Sequence, residues 1–174
     1  MLGFQFNENI IGYSYVDEAR TICNLINDIE CNDILDVGCF TGKLTWALCK
    51  TFPNKQIVAL DIWDHFMDKL LDPTMHVSGS DMALFKSFNH EHTNLMAIQG
   101  DFLQFNLTHD VVILGADNLK LDWKKHIDHA LSLSPKLIIG RHAYEHNDKR
   151  QALRAIIKTY NHTFYNHGIY TIQP

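Results

Sequence analysis

The sequence predicts a three-layer α/β/α fold built on a seven-stranded, mostly parallel sheet that finishes in an antiparallel hairpin. Three observations point there. Short apolar runs alternate along the chain with amphipathic stretches of helical length. Several of those runs carry the β-branched residues that suit strands buried on both faces. The last two runs are separated only by Asn166–Gly168, too short for a parallel crossover, so they must pair as a hairpin.

Residues 16–29 predict an N-terminal helix and 33–37 a first strand. A helix over 43–51 follows, and Pro53 separates it from a second strand at 56–60. Residues 64–71 and 81–89 predict two more helices; in the second, Phe85 and Phe88 repeat at helical spacing beside Met82 and Leu84, which marks a packing face. Strands at 94–99 and 110–114 come next, then a helix over 119–133, with Pro135 beyond its end. A strand at 136–139, a helix over 148–160 and hairpin strands at 163–165 and 169–172 complete the set. Helices between successive strands imply right-handed βαβ units.

The 174 residues fit one domain, in which residues 1–30 supply a helix and, through Phe4, Phe6, Tyr13 and Tyr15, a partial lid. Hydrophobic residues at 46% and charged residues at 20% match a soluble globular protein. The net charge of −5 and the lack of a Lys/Arg-rich run argue against a nucleic-acid backbone as partner. No apolar run approaches the roughly 18 residues that cross a bilayer, and the N-terminus does not read as a secretory signal. Cys23, Cys31, Cys39 and Cys49 lack CxxC spacing, so reduced thiols and a cytoplasmic location are expected.

Ligands of open α/β sheets bind at the carboxyl ends of the strands. The first such end reads Asp36-Val37-Gly38-Cys39-Phe40-Thr41-Gly42. Gly38 suits a tight turn after the strand, and Gly42 lets the chain approach a ligand where the helix starts. Phe40 and Lys43 stand where a dinucleotide fingerprint needs glycines, which argues against a pyrophosphate on the helix N-terminus. Asp36 suits a cationic group, such as an amino-acid ammonium. Asp61, ending the second strand, can accept both hydroxyls of a ribose. Ile62 and Trp63 offer apolar faces to an adenine. At Gly100-Asp101-Phe102, Asp101 can accept the adenine amino group with Phe102 against the ring. Gly115-Ala116-Asp117 places small residues and an acid beside a transferable group. Acids at four successive strand ends exceed what helix capping alone explains.

From about residue 32 onward the chain resembles the class I S-adenosylmethionine-dependent methyltransferases, which are Rossmann-like. Asp36-Val37-Gly38-Cys39-Phe40-Thr41-Gly42 looks like their first motif, Asp61 like the ribose-binding acid and Gly100-Asp101 like the adenine-site motif. The resemblance implies S-adenosyl-L-methionine as cofactor, held by Asp36, Gly38, Cys39, Phe40, Gly42, Asp61, Ile62, Trp63, Gly100, Asp101, Phe102 and Gly115. Asp61-Ile62-Trp63, Asp117, Asp122-Trp123 and Arg141-His142 are similar to the group of macrocin O-methyltransferases and cephalosporin-hydroxylase-like proteins. Some of that group bind a divalent metal through acids at these places. Arg141-His142 replaces one such acid, which speaks against a metal site here.

The resemblance further implies methyl transfer to a small molecule, with O-methylation favoured. An oxygen nucleophile benefits from a general base. His142 is the first candidate for that role and Asp117 the second, with orientation of cofactor or substrate as the other role for Asp117. Among the eleven histidines, His126/His129 and His142/His146 are spaced to share a helical face, but hydrogen-bonded or solvated histidines are commoner than metal ligands. No substrate domain is inserted, so a second subunit is expected to help close the site in a homodimer. Two other functions stay open: a non-catalytic cofactor-binding subunit, and an enzyme that uses the cofactor for a reaction other than methyl transfer.

Overall fold

A computed structural model describes residues 2–10, 12, 14–63, 81–115, 122–141 and 147–174. Its elements are α1 (Val16–Asn27), β1 (Asp33–Val37), α2 (Lys43–Thr51), β2 (Gln56–Asp61), α3 (Asp81–Asn89), β3 (Leu95–Gln99), β4 (Val111–Leu114), α4 (Trp123–Ser132), β5 (Leu137–Arg141), α5 (Asn147–Ile157), β6 (His162–Phe164) and β7 (Ile169–Ile172). The strands form one seven-stranded sheet in the order β3-β2-β1-β4-β5-β7-β6. The neighbours β3-β2, β2-β1, β1-β4 and β4-β5 are parallel. β7 runs antiparallel to both β5 and β6, as the short hairpin connection requires. The strand order reverses between β1 and β4, which makes their C-terminal ends the switch point where such sheets take ligands.

Strand parity sorts the core into two layers. Ile34, Ile57, Val111, Ile113, Leu137 and Ile139 pack with Ala19, Ile22 and Ile26 of α1 and Leu44, Ala47 and Leu48 of α2. Leu35, Val37, Val58, Leu60, Val112, Leu114 and Ile138 pack with Ile127 and Ala130 of α4 and Leu153 and Ile157 of α5. Burial on both faces is why the central strands read as continuous apolar runs. Counting on by two along the first set reaches Asp36, Asp61, Gly115 and Arg141. Polar chemistry therefore gathers on the α1–α2 side of the C-terminal edge.

Several boundaries differ from expectation. β5 extends to Arg141 because β7 pairs Arg141 with Ile169, one residue beyond the last pair with β4 at Gly140. The first hairpin strand is His162–Phe164, and Tyr165 closes it by donating its N–H to the carbonyl of Ile169 at 2.8 Å. α1 ends two residues early, at Asn27, where Asp28 closes the helix. α5 ends at Ile157 rather than at 160. The helix expected over 119–133 is described from Trp123, with the Asp122 carboxylate accepting the Lys125 N–H at 3.1 Å as its cap. The helix expected over 64–71 lies outside the described residues. All four cysteines are buried and free. No helix among the described residues is long and apolar enough to cross a membrane.

Candidate functional site

β1 delivers the chain into a turn with three left-handed residues, Gly38 (φ 70°), Phe40 (φ 54°) and Gly42 (φ 80°). Three of its amides are bonded within the protein. Gly38 N–H donates to the Leu60 carbonyl, Phe40 N–H to Asp61 Oδ2 and Gly42 N–H to the Cys39 carbonyl, each at 2.8 Å. A phosphate-cradling turn presents such amides outward; here two of these are spent on β2 and one within the turn. Phe40 is held in its left-handed conformation from two sides, by Asp61 at its N–H and by the Trp63 indole N–H donating to its carbonyl at 2.9 Å. Gly42 also makes room for a neighbouring helix. A Cβ at Gly42 would lie 2.6 Å from a ring carbon of Phe85 and would also strike Asn89. The glycine starts α2 as expected, and the space its missing Cβ leaves is taken by Phe85 and Asn89 of α3.

Two carboxylates flank the turn. Asp36 is 1% exposed, and its Oδ2 accepts the Thr45 hydroxyl at 2.6 Å. Burial pushes its carboxyl up to about 6, against the downward pull of the Thr45 hydrogen bond and the Arg141 guanidinium; the Asp61 charge adds to the rise. Asp61 accepts the Trp63 N–H on Oδ1 at 2.9 Å and the Phe40 N–H on Oδ2. Burial raises it too, opposed by these backbone hydrogen bonds. The Ile62 N–H is a third backbone donor to this carboxylate, which leaves about one of its four acceptor sites for a ribose hydroxyl. The Cys39 thiol is buried beside the same carboxylates, and burial pushes it up.

The expected adenine wall is rearranged. Trp63 turns inward, packs its ring 5.1 Å from that of Phe85 and is only 6% exposed. It braces the turn, which leaves Ile62, 50% exposed, as the apolar residue of the pair presented outward. Phe102 is likewise corrected: it is buried beneath α4, edge-on to the His129 ring at 4.9 Å. Asp101 is exposed, and its Oδ1 accepts the Leu103 N–H at 2.9 Å, capping a short helical turn. A Cβ at Gly100 would meet only Leu60, at an ordinary 3.7 Å.

The other half of the edge is built on a buried arginine. Gly115 N–H donates to the Val37 carbonyl at 2.9 Å, tying β4 to β1. The Gly115 carbonyl accepts Arg141 Nε and Nη2 at 3.2 and 3.1 Å. Arg141 Nη1 donates to Ser14 Oγ and to Glu18 Oε2, both at 3.0 Å. Ser14, Glu18 and Arg141 are all buried. Sequence reasoning treated Arg141 only as a departure from a pattern and passed over Glu18, Ser14 and Thr45. The available signal was parity: Leu137, Ile139 and Arg141 alternate onto the face that carries Asp36. Among the described residues, Asp36, Asp61 and Glu18 outnumber the Arg141 guanidinium at this edge.

The paired histidines take structural positions. His126 Nδ1 bonds the Asp122 carbonyl at 2.8 Å and His129 Nε2 the Phe105 carbonyl at 2.9 Å. No group of three or more His, Cys, Asp or Glu side chains poised for a metal occurs among the described residues. His142, Asp117 and His146 lie outside the described residues.

No family model matches the sequence. One stretch of 70 residues is 37% identical to the malonyl-[acyl-carrier protein] O-methyltransferase of Priestia megaterium, covering 36% of this chain and 26% of that protein. Among solved structures, the fold matches precorrin-6y C5,15-methyltransferase from Geobacter metallireducens at a TM-score of 0.65 and 12% identity, over 97% of this chain and 91% of that one. It also matches magnesium protoporphyrin IX methyltransferase from Synechocystis, solved with bound S-adenosylmethionine, at a TM-score of 0.61 and 16% identity, over 95% and 88% of the two chains. With its strand order and terminal hairpin, the chain has the Rossmann-like fold found in these S-adenosylmethionine-dependent methyltransferases.

Proposed function

We propose that this protein is an S-adenosylmethionine-dependent methyltransferase acting on a small molecule, with oxygen the favoured acceptor. One observation carries the reading: a glycine turn, with the Gly38, Phe40 and Gly42 amides bonded within the protein, sits between the buried carboxylate of Asp36 and the half-buried one of Asp61. Such an edge disfavours phosphate and favours a nucleoside that carries positive charge. The residues present fit that group. Asp61 keeps acceptor capacity for a ribose hydroxyl, Ile62 offers an exposed apolar face for adenine, and Asp101 keeps one carboxylate oxygen for its amino group. Asp36 acts on the ammonium end through its field. The sulfonium supplies an electrophilic methyl group.

The chain must then hold an acceptor in line and take up its proton. His142 and Asp117 are assigned to those tasks by their places after β5 and β4. The net charge of −5 and the absence of a basic run support a small substrate. A cytoplasmic location and a homodimer that completes the pocket belong to the same proposal.

The test is transfer of tritium from methyl-labelled S-adenosylmethionine to components of a metabolite extract. Labelled product with release of S-adenosylhomocysteine supports the reading. Heat on titration with S-adenosylhomocysteine but no transfer would make the chain a cofactor-binding subunit. Methylthioadenosine as product would place it among enzymes that use another part of the cofactor. No heat with either form, on folded protein, would overturn the site.

A further inference from the structure

The proposed pocket has a wall that the motif residues do not supply. Ile10 is 1% exposed, and Gly12 lies so close to the glycine turn that a Cβ there would stand 2.9 Å from Thr41 Oγ1 and 3.4 Å from Lys43 Cβ. Farther along, Ser14 and Glu18 meet Arg141 at 3.0 Å each. The N-terminal arm therefore touches the C-terminal edge at two places on opposite sides of the switch point. One is the turn after β1; the other is the end of β5. Glu18 also accepts the Tyr15 N–H at 3.4 Å, which ties the same carboxylate to the start of α1.

We propose that Arg141 is a positioning residue which, through Glu18 and Ser14, clamps the N-terminal arm over the glycine turn, so that the arm forms the wall holding the amino-acid end of the methyl donor. The inference rests on the cofactor reading above. Its physical basis is burial of a full ion pair between elements 123 residues apart in sequence. A buried guanidinium with a carboxylate, a hydroxyl and a carbonyl as acceptors is directional and costly to break. Core packing of α1 needs only its apolar face, Ala19, Ile22, Cys23 and Ile26. The polar clamp therefore adds placement to that packing. The Arg141 guanidinium also pulls the Asp36 carboxyl down, against burial and the Asp61 charge.

The test uses the full chain and S-adenosylhomocysteine as probe, in wild type, Glu18→Gln, Arg141→Lys and Ser14→Ala. Calorimetry gives the affinity, stopped-flow the dissociation rate, and amide hydrogen exchange the opening of the arm. Loss of the Glu18 charge, or of the guanidinium fork of Arg141, predicts at least about tenfold weaker binding in Glu18→Gln and Arg141→Lys, chiefly through faster dissociation, and a smaller loss in Ser14→Ala. In wild type the probe should slow exchange at Ser14 and Glu18, and that protection should shrink in step with affinity. Variants that bind as tightly as wild type although the arm exchanges faster would overturn the clamp and leave the cofactor reading standing. Should Arg141→Lys not fold, the two milder variants decide. If wild type binds neither S-adenosylmethionine nor the probe, the cofactor reading falls and the clamp with it.

Discussion

The two edges of this sheet use aspartate in opposite ways. At the N-terminal edge Asp110 is surrounded by donors. Its carboxylate accepts the Asn32 N–H at 2.7 Å and meets Lys136 at 3.1 Å, and these contacts hold its carboxyl below the usual range. Asp33 beside it accepts the Asp110 N–H at 2.6 Å. At the C-terminal edge the buried Asp36 and the half-buried Asp61 are both shifted upward, by burial first of all. The first edge satisfies its charge within the chain and so stabilises the fold. The second carries charge that the fold only partly offsets. That pattern is expected where a cationic ligand completes the site.

The largest test of this contrast is Arg141→Met. It leaves the Glu18 carboxylate buried without its cation, and a loss of about 3–5 kcal/mol in urea unfolding is expected. Changing Glu18→Leu in the same protein should restore much of it, because no buried charge is then left alone. A double variant as unstable as Arg141→Met would show that the pair is not the source of the loss. Next comes Gly42→Ala, which forces a left-handed alanine and a Cβ into Phe85 and Asn89. About 2–4 kcal/mol should be lost, together with affinity for S-adenosylhomocysteine. A variant of unchanged stability would show that α3 does not bear on the turn.

Asp36→Asn should act in the other direction. Because the folded carboxyl is raised from 3.8 to about 6, its ionisation opposes folding at pH values above 6. Removing the charge should stabilise the ligand-free protein by about 2–3 kcal/mol at pH 8. The gain should fade as pH drops through 6 and be gone below 3.8, where the wild-type group is protonated in both states. The same variant should bind the cofactor more weakly. A variant less stable than wild type at pH 8 would contradict the account of this edge. Asp110→Asn closes the series with the smallest change. Its carboxylate is lowered in the fold, so its contribution is present above the ordinary aspartate range and lost as pH falls. A cost of about 1 kcal/mol at pH 7, vanishing in acid, is expected from circular dichroism melts. A cost that persists at pH 2 would assign the effect to packing instead.

Much of this was legible in order along the chain. Alternating apolar runs gave the strands, and the three residues between the last two dictated the hairpin. The turn after β1 was readable because glycine is needed where φ is positive. Trp63 and Phe102 were misplaced for one reason. An aromatic side chain beside a strand end can turn outward to a ligand or inward to the core. The choice depends on helices that arrive later in sequence, α3 over Trp63 and α4 over Phe102. Gly42 carried the same ambiguity, because its missing Cβ makes room for whatever approaches.

The amino-acid sequence alone determined the number of strands, their alternation with helices and which of their ends would carry acids, since these follow from local periodicity and backbone preference. Only the tertiary structure decided which acids are charged against which partners. Arg141 could be paired with Glu18 only once β5 and α1 lay side by side, because electrostatic energy depends on separation in space and on burial, and neither is encoded by spacing along the chain.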